Sequence, residues 1–200
     1  MNMTNENLVE LADVIRDKEI RVEKIKSLTN VFHETVVCFK LNIPGPIKDN
    51  SEYRKVFKKS LDVFKSKVSN ILFSQVSYLK TGPVAYLVIK DRAEYIKQIA
   101  IEIEESAEIG RIYDFDVYHQ SKSISRQDLG KEVRRCILCD ENVWICSRSR
   151  KHGVDELLVK IRSLTGAYIK EDYNENIKGS IRGFSNNFIS IINVNNRMYK

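Results

Sequence analysis

Between residues 34 and 118 the apolar pattern alternates between two periods, and that order of elements constrains the fold more than any other feature of the chain. "ETVVCFKL" (34–41) is a short run rich in β-branched residues, as a buried strand requires. From Ser51 to about Val68, Tyr53, Val56, Phe57, Leu61, Phe64 and Val68 recur every three or four residues, which predicts a helix. "ILFSQVSYL" (71–79) and "VAYLVI" (84–89) read as strands joined by the turn "KTGP". Residues 92–105 follow as a helix with Ala93, Ile96, Ile99 and Ile103 inward, and 111–118 as a strand. The order is β-α-β-β-α-β, the split βαβ or ferredoxin-like pattern. The expected class is therefore α+β, a sandwich with helices on one face of an antiparallel sheet.

Additions flank this unit. Residues 5–28 predict an N-terminal helix packed alongside, with Leu8, Leu11, Ile15, Val22 and Ile25 on one face. After residue 118 come a polar connection, a cysteine-containing segment and a short helix over 154–164. From Thr165 the composition turns to Asn, Gly, Ser and Tyr, which sets the expected division at 1–165 for the main domain and 166–200 for a tail with one possible strand, "NFISIINV". A chain of 200 residues suffices for one well-cored domain. No apolar run is long enough to cross a bilayer, and "MNMTNENLVELADV" lacks the basic start and apolar stretch of a secretory signal, so the expected location is cytoplasmic. In a reducing compartment the four cysteines are not expected to be a disulfide framework. A net charge of +6 favours anionic partners.

Chemistry concentrates in "GRIYDFDVY" (110–118). Strands are depleted in Asp, yet two stand two residues apart here. Side chains alternate, so Tyr113, Phe115 and Val117 share one face while Asp114 and Asp116 share the other. Like charges so placed repel unless water or a cation separates them. A Mg²⁺ ion, which takes one or two carboxylates plus substrate phosphates, would resolve the repulsion and serve phosphoryl or nucleotidyl transfer. The spacing equally suits a wet strand face. The loop "LNIPGPIK" (41–48) brings a glycine for close backbone approach and Lys48 at its end; it suits a phosphate, a carrier-protein loop or a plain tight connection. "TGP" (81–83) is a hairpin turn first. Arg126, Lys131, Arg134, Arg135, Arg148, Arg150 and Lys151 crowd the segment after the strand, where arginine forks suit polyphosphate. Cys136, Cys139, Cys146 and His152 fall within 17 residues and could close a tetrahedral zinc site, or the thiols could be core residues. No Walker loop, Rossmann fingerprint or nucleophile elbow is present, and the three histidines are dispersed.

"NIPGPIK", "TGPVA", "GRIYDFDV", "SRQDLG", "RRCILC" and "CSRSRKHGVDELL" together resemble, in order and rough spacing over about residues 6–165, the apo-citrate lyase phosphoribosyl-dephospho-CoA transferase family, also called holo-citrate lyase acyl-carrier-protein synthases. The resemblance implies a nucleotidyltransferase. It would attach the phosphoribosyl-dephospho-CoA group of 2'-(5''-triphosphoribosyl)-3'-dephospho-CoA to a serine of the citrate lyase acyl carrier protein, releasing diphosphate. It also implies that the family's Asp-x-Asp falls on Asp114 and Asp116 as Mg²⁺ ligands. Asn42, Gly45, Lys48, Gly82, Gly110, Arg111, Arg134, Arg135 and Arg148 would then contact substrate. A third carboxylate, common in nucleotidyltransferases, has no clear counterpart beyond Asp140. The ferredoxin-like order is expected to put "NIPGPIK" and "TGP" at opposite ends of the sheet, ~25 Å apart for eight-residue strands; the alternative is a mixed-sheet, nucleotidyltransferase-like fold. The rival readings are the same chemistry on the malonate decarboxylase carrier protein and a zinc-dependent nucleic-acid-binding module. Aromatics concentrated at core-facing positions speak against the second, so neither nucleic acid nor membrane is an expected partner.

Overall fold

Thr35–Leu41 (β1) and Gly82–Ile89 (β3) pair at the centre of a five-stranded sheet. Ile71–Leu79 (β2) joins the outer side of β3, while Tyr113–His119 (β4) and then Lys122–Ile124 (β5) extend the side of β1, giving the order β2-β3-β1-β4-β5. Every neighbouring pair is antiparallel, so these strands do not make a mixed sheet. The computed structural model describes residues 8–120 and 122–170. The chain divides into two compact units, residues 1–165 and 166–200, and the sheet belongs to the first. The expected strand "NFISIINV" lies outside the described residues.

Helices Ser51–Lys67 (α2) and Ala93–Glu105 (α3) form where the 3–4-residue apolar spacing predicts them. Asn50 caps α2 by accepting from the Tyr53 N–H at 2.7 Å, which satisfies one of the free amides at the helix start. Both helices bury their stripes on one sheet face. There Phe39 stacks between Phe57 and Phe115, with ring centroids 4.9 and 4.0 Å away, and Phe64 stacks on Phe115 at 4.8 Å. Val37, Phe39, Leu87, Ile89, Phe115 and Val117 all lie at or below 1% exposure.

The other face is covered too, which corrects the expectation of helices on one face only. Leu11–Phe32 (α1) lies across it, where Ile25 and Leu28 pack against Val36, Cys38, Val84, Tyr86 and Val88. This explains why β1 and β3 are buried on both faces, as a sheet between two helical layers must be. The expected inward face of α1 is also corrected. Leu11 and Ile15 are 75% and 51% exposed and Val22 is exposed, while Asp17, Ile25, Leu28 and Thr29 are buried. The N-terminal half of α1 covers the polar part of the sheet, so it turns Asp17 inward and leaves its aliphatic residues in water.

Beyond the sheet, Val143–Ser149 (α4) is a two-turn helix, and a fifth helix (α5) starts at 154 and continues through 170, past the expected end at 164. Among the described residues no helix is long and apolar enough to cross a membrane.

Candidate active site

Antiparallel pairing brings the motifs to one end of the sheet. Lys40, near the end of β1, lies opposite Val84 at the start of β3 and opposite Asp114 at the start of β4. The loop 42–48 leaves β1 at that end, and the turn before β3 sits there as well. A Cβ on Gly82, whose φ is +108°, would stand 3.0 Å from the Lys48 carbonyl oxygen. The Asn42 N–H donates to the Ile112 carbonyl at 2.7 Å, tying the same loop to the start of β4. "NIPGPIK" and "TGP" are therefore neighbours and not ~25 Å apart. The expectation failed because β1 and β3 are adjacent and antiparallel, so one strand's end is the other's beginning.

Asp114 and Asp116 project from the α1 side of β4, opposite Lys40 and Cys38 respectively. Alternation holds as expected: Tyr113, Phe115 and Val117 are buried on the far face, and both aspartates are half-buried. Lys40 forms an ion pair with Asp114 Oδ2, and Arg134 Nη1 lies 3.6 Å from Asp114 Oδ1. Burial alone would push the Asp114 carboxyl up, but Lys40, Arg134 and Lys97 outweigh it and hold the group below its ordinary value. Asp116 shifts the other way, up to about 6, because of burial and then of the neighbouring Asp114 charge. Lys40, Lys97 and Arg21 oppose that rise without cancelling it, and the two neighbouring carboxylates still oppose each other's charge. That charge and the two-carboxylate donor set fit a divalent cation, for which Asp114 would have to share or release Lys40.

Two charged residues of α3 grip the strand between the aspartates. Lys97 Nζ donates to the Phe115 carbonyl at 2.8 Å, and the Phe115 N–H donates to Glu104 Oε1 at 3.3 Å. β5 pairs only with residues 117–119 of β4, so side chains take over the edge ladder at Phe115. Both are buried, and sequence reasoning missed them. A signal was available: they recur with Ala93 and Ala100 at helical spacing on the inward face of α3. Lys40 was missed as well, although it is the one charged residue inside the apolar run "TVVCFKL".

The expected substrate contacts divide. Gly110 is a packing glycine: a Cβ there would lie 2.3 Å from the Glu104 carbonyl oxygen, closer than any side chain tolerates. Arg111 Nη1 donates to the Cys136 carbonyl at 2.5 Å. Arg134 donates to the Tyr113 carbonyl and has its Nε 3.8 Å from Glu104 Oε2. Both arginines thus point at protein groups. A cleft of about 380 Å³ opens beside them, and in it Arg126 pairs with Glu104 and Glu105. Arg135 and Arg148 are exposed, and Arg135 pairs with Glu132 at 3.3 Å. Asn42 is exposed, and Lys48 turns its ammonium back to the Ile43 carbonyl at 2.5 Å, half-buried and lowered by that burial and by Lys40. Gly45, at φ +76°, packs against Val154 and Leu158 of α5. Asp140 is exposed in the cysteine loop.

The cysteine segment does close. The ligand atoms of Cys136, Cys139, Cys146 and His152 all lie within 4.8 Å of one another. Cys139 Sγ stands 3.5 Å from Cys146 Sγ and 3.2 Å from His152 Nε2, against the ~3.8 Å between ligand atoms set about 2.3 Å from a tetrahedral zinc. Burial opposes ionisation of Cys136, but the Leu138 and Cys139 N–H groups aimed at its sulfur outweigh it and hold the thiol below its ordinary value. Cys146 is pushed up to about 12 by burial and by Cys139 and Cys136. Three thiols at one spot cannot all ionise without a cation, so the group can hold a metal ion and suits a soft one. Cys38 takes no part: it is buried under α1, and burial pushes its thiol up to about 12.

The family model described as apo-citrate lyase phosphoribosyl-dephospho-CoA transferase matches residues 9–168. A Vibrio cholerae protein named probable apo-citrate lyase phosphoribosyl-dephospho-CoA transferase is 32% identical over 166 residues, covering 80% of this chain and 93% of its own. Protein CitXG of Haemophilus influenzae is 31% identical over 166 residues, which is 80% of this chain but only 36% of that longer protein. The apo-citrate lyase phosphoribosyl-dephospho-CoA transferase of Shigella boydii is 30% identical over 134 residues, 64% of this chain and 73% of its own.

Proposed function

The chain belongs to the apo-citrate lyase phosphoribosyl-dephospho-CoA transferase family, a family of enzymes, and from that premise we propose that it loads the citrate lyase acyl carrier protein in the cytoplasm. The donor is 2'-(5''-triphosphoribosyl)-3'-dephospho-CoA. The carrier serine oxygen attacks the α-phosphorus, the bond from phosphorus to the bridging oxygen breaks, and diphosphate leaves while a base takes the hydroxyl proton. The observation that carries this reading is the meeting of the loop 42–48, the turn before Gly82 and Asp114 at one end of the sheet.

Asp114 and Asp116 would hold Mg²⁺, which when bound neutralises phosphate oxygens and stabilises charge on the leaving diphosphate. Lys40 and Lys48 add positive charge on the same side, while the glycines of the loop and the turn let backbone approach the substrate. Arg111 and Arg134 shape the start of β4. The Cys136–Cys139–Cys146–His152 group would hold Zn²⁺ structurally. We read the fold itself as the split βαβ type, because the order β4-β1-β3-β2 with two right-spaced crossovers is what that pattern requires, with β5 added at one edge.

The test is to incubate the protein with triphosphoribosyl-dephospho-CoA, Mg²⁺ and apo-carrier and to weigh the carrier by mass spectrometry. A carrier heavier by one phosphoribosyl-dephospho-CoA group is expected. An unmodified citrate lyase carrier beside a modified malonate decarboxylase carrier would transfer the assignment to the latter, and no modification of either would overturn it.

A further inference from the structure

We propose that the Cys136–Cys139–Cys146–His152 group is the bearing that positions the start of the aspartate strand, so that its metal occupancy governs transfer at Asp114 from outside the site. This deepens the transferase reading and rests on it.

Residues 134–143 form a small closed loop. The Val143 N–H donates to the Arg134 carbonyl at 3.0 Å, the Cys136 N–H donates to the Glu141 carbonyl at 2.8 Å, and Arg135 and Asn142 form a lone β-bridge between these bonds. Cys136 and Cys139 sit in this loop, α4 brings Cys146, and the left-handed turn at Arg150 leads to His152. Little else holds the segment. Asp140, Glu141, Trp144, Ile145 and residues 147–151 are exposed, while Cys136 and Cys146 are its buried side chains. A segment with so small a core needs a staple, and three thiols with an imidazole form one only around a cation.

The same loop exchanges two arginines with β4. Arg111, two residues before the strand, reaches the carbonyl of Cys136, a metal ligand. Arg134, two residues before Cys136, reaches back to the Tyr113 carbonyl and to Asp114. Each arm spans between the cluster and the aspartate strand, in opposite directions. Fixing the Cys136 sulfur therefore fixes both ends of the pair, and releasing it frees Arg134 from Asp114. Arg134 is a positioning residue here, since its donors are taken by Tyr113, Glu104 and Asp114.

The test compares zinc-loaded and chelator-stripped full-length protein, with metal content, amide hydrogen exchange over 111–116 and carrier modification measured on each. One equivalent of zinc is expected in the loaded form. Stripping should speed exchange at 111–116 at least tenfold and lower kcat at least tenfold with KM for the donor changed less than threefold; added zinc should restore both. Arg134→Met should keep its zinc, show the same kcat loss, and lose less than twofold more on stripping, while Arg134→Lys should recover part of kcat. Unchanged exchange on stripping, independent losses that multiply in Arg134→Met, or protein that binds no zinc would each overturn the proposal. Faster exchange in a protein that modifies no carrier would leave the coupling standing and overturn the transferase reading instead.

Discussion

The two faces of β4 differ as much as two regions of one strand can. Tyr113, Phe115 and Val117 leave almost nothing exposed, and Phe115 stacks with Phe39 and Phe64. One residue along, Asp114 and Asp116 face Lys40, Cys38 and the inward polar side of α1, where an ion pair and a carboxylate shifted up by burial and by Asp114 replace packing. The aromatic face is where burial lowers free energy; the acidic face opposes it. Such a face persists because the other one, and the grip of Lys97 and Glu104 on Phe115, hold the strand in place.

The largest expected break is on the aromatic face. Phe115→Ala removes a ring stacked on two others and should destabilise the protein by ~3–5 kcal/mol, read as a fall in melting temperature; a loss under about 1 kcal/mol would mean that the stack does not carry the strand. A smaller break tests the strand's position. Gly110→Ala places a methyl group against the Glu104 carbonyl and should cost about 1–3 kcal/mol from overpacking, since backbone must shift. Unchanged stability would show that the end of α3 can retreat from β4.

The smallest effect on stability, with the opposite sign, is expected on the acidic face. Asp116→Asn removes a carboxylate whose folded value, about 6, lies above its ordinary 3.8. The folded state therefore holds a proton there that the unfolded state releases, and wild-type stability falls as pH rises from ~4 through about 6. The Asn variant lacks this loss, so its advantage in melting temperature should be absent near pH 4 and complete above pH 6. Asp114→Asn should show no such gain, because its charge is paired with Lys40 and Arg134. Both Asn variants should lose carrier modification by ~100-fold or more. A pH-independent stability difference in Asp116→Asn would mean that the carboxylate is well solvated, and near-native transfer in both variants would reduce this face to a polar surface.

Much of the core was legible because strands and helices declare themselves by period. β2, β4, α2 and α3 fall where the spacing of Ile71, Phe115, Val56 and Ile96 puts them. The N-terminal helix was legible as a helix but not in orientation. Leu11, Ile15 and Val22 form an apolar stripe that stays in water, because the sheet surface beneath that half of α1 is polar and accepts Asp17 instead. At the site, the aspartates and the Cys136–Cys139–Cys146–His152 group were readable from local spacing, while Lys40, Lys97 and Glu104 were hidden among apolar neighbours.

The sequence by itself determined the strands β1 to β4 and the helices α1 to α3, which side of β4 carries the carboxylates, and that three thiols and an imidazole fall within reach of one another. Each of these depends on residues close in the chain, through the fixed periods of backbone geometry. Only the tertiary structure decided that the loop 42–48 meets Gly82, that Lys40 stands across from Asp114, and that Arg111 and Arg134 join the cysteine loop to the aspartate strand. These contacts depend on which strands become neighbours and in what register. Pairing between distant segments is set by packing the whole sheet between its two helical layers, and no local period encodes it.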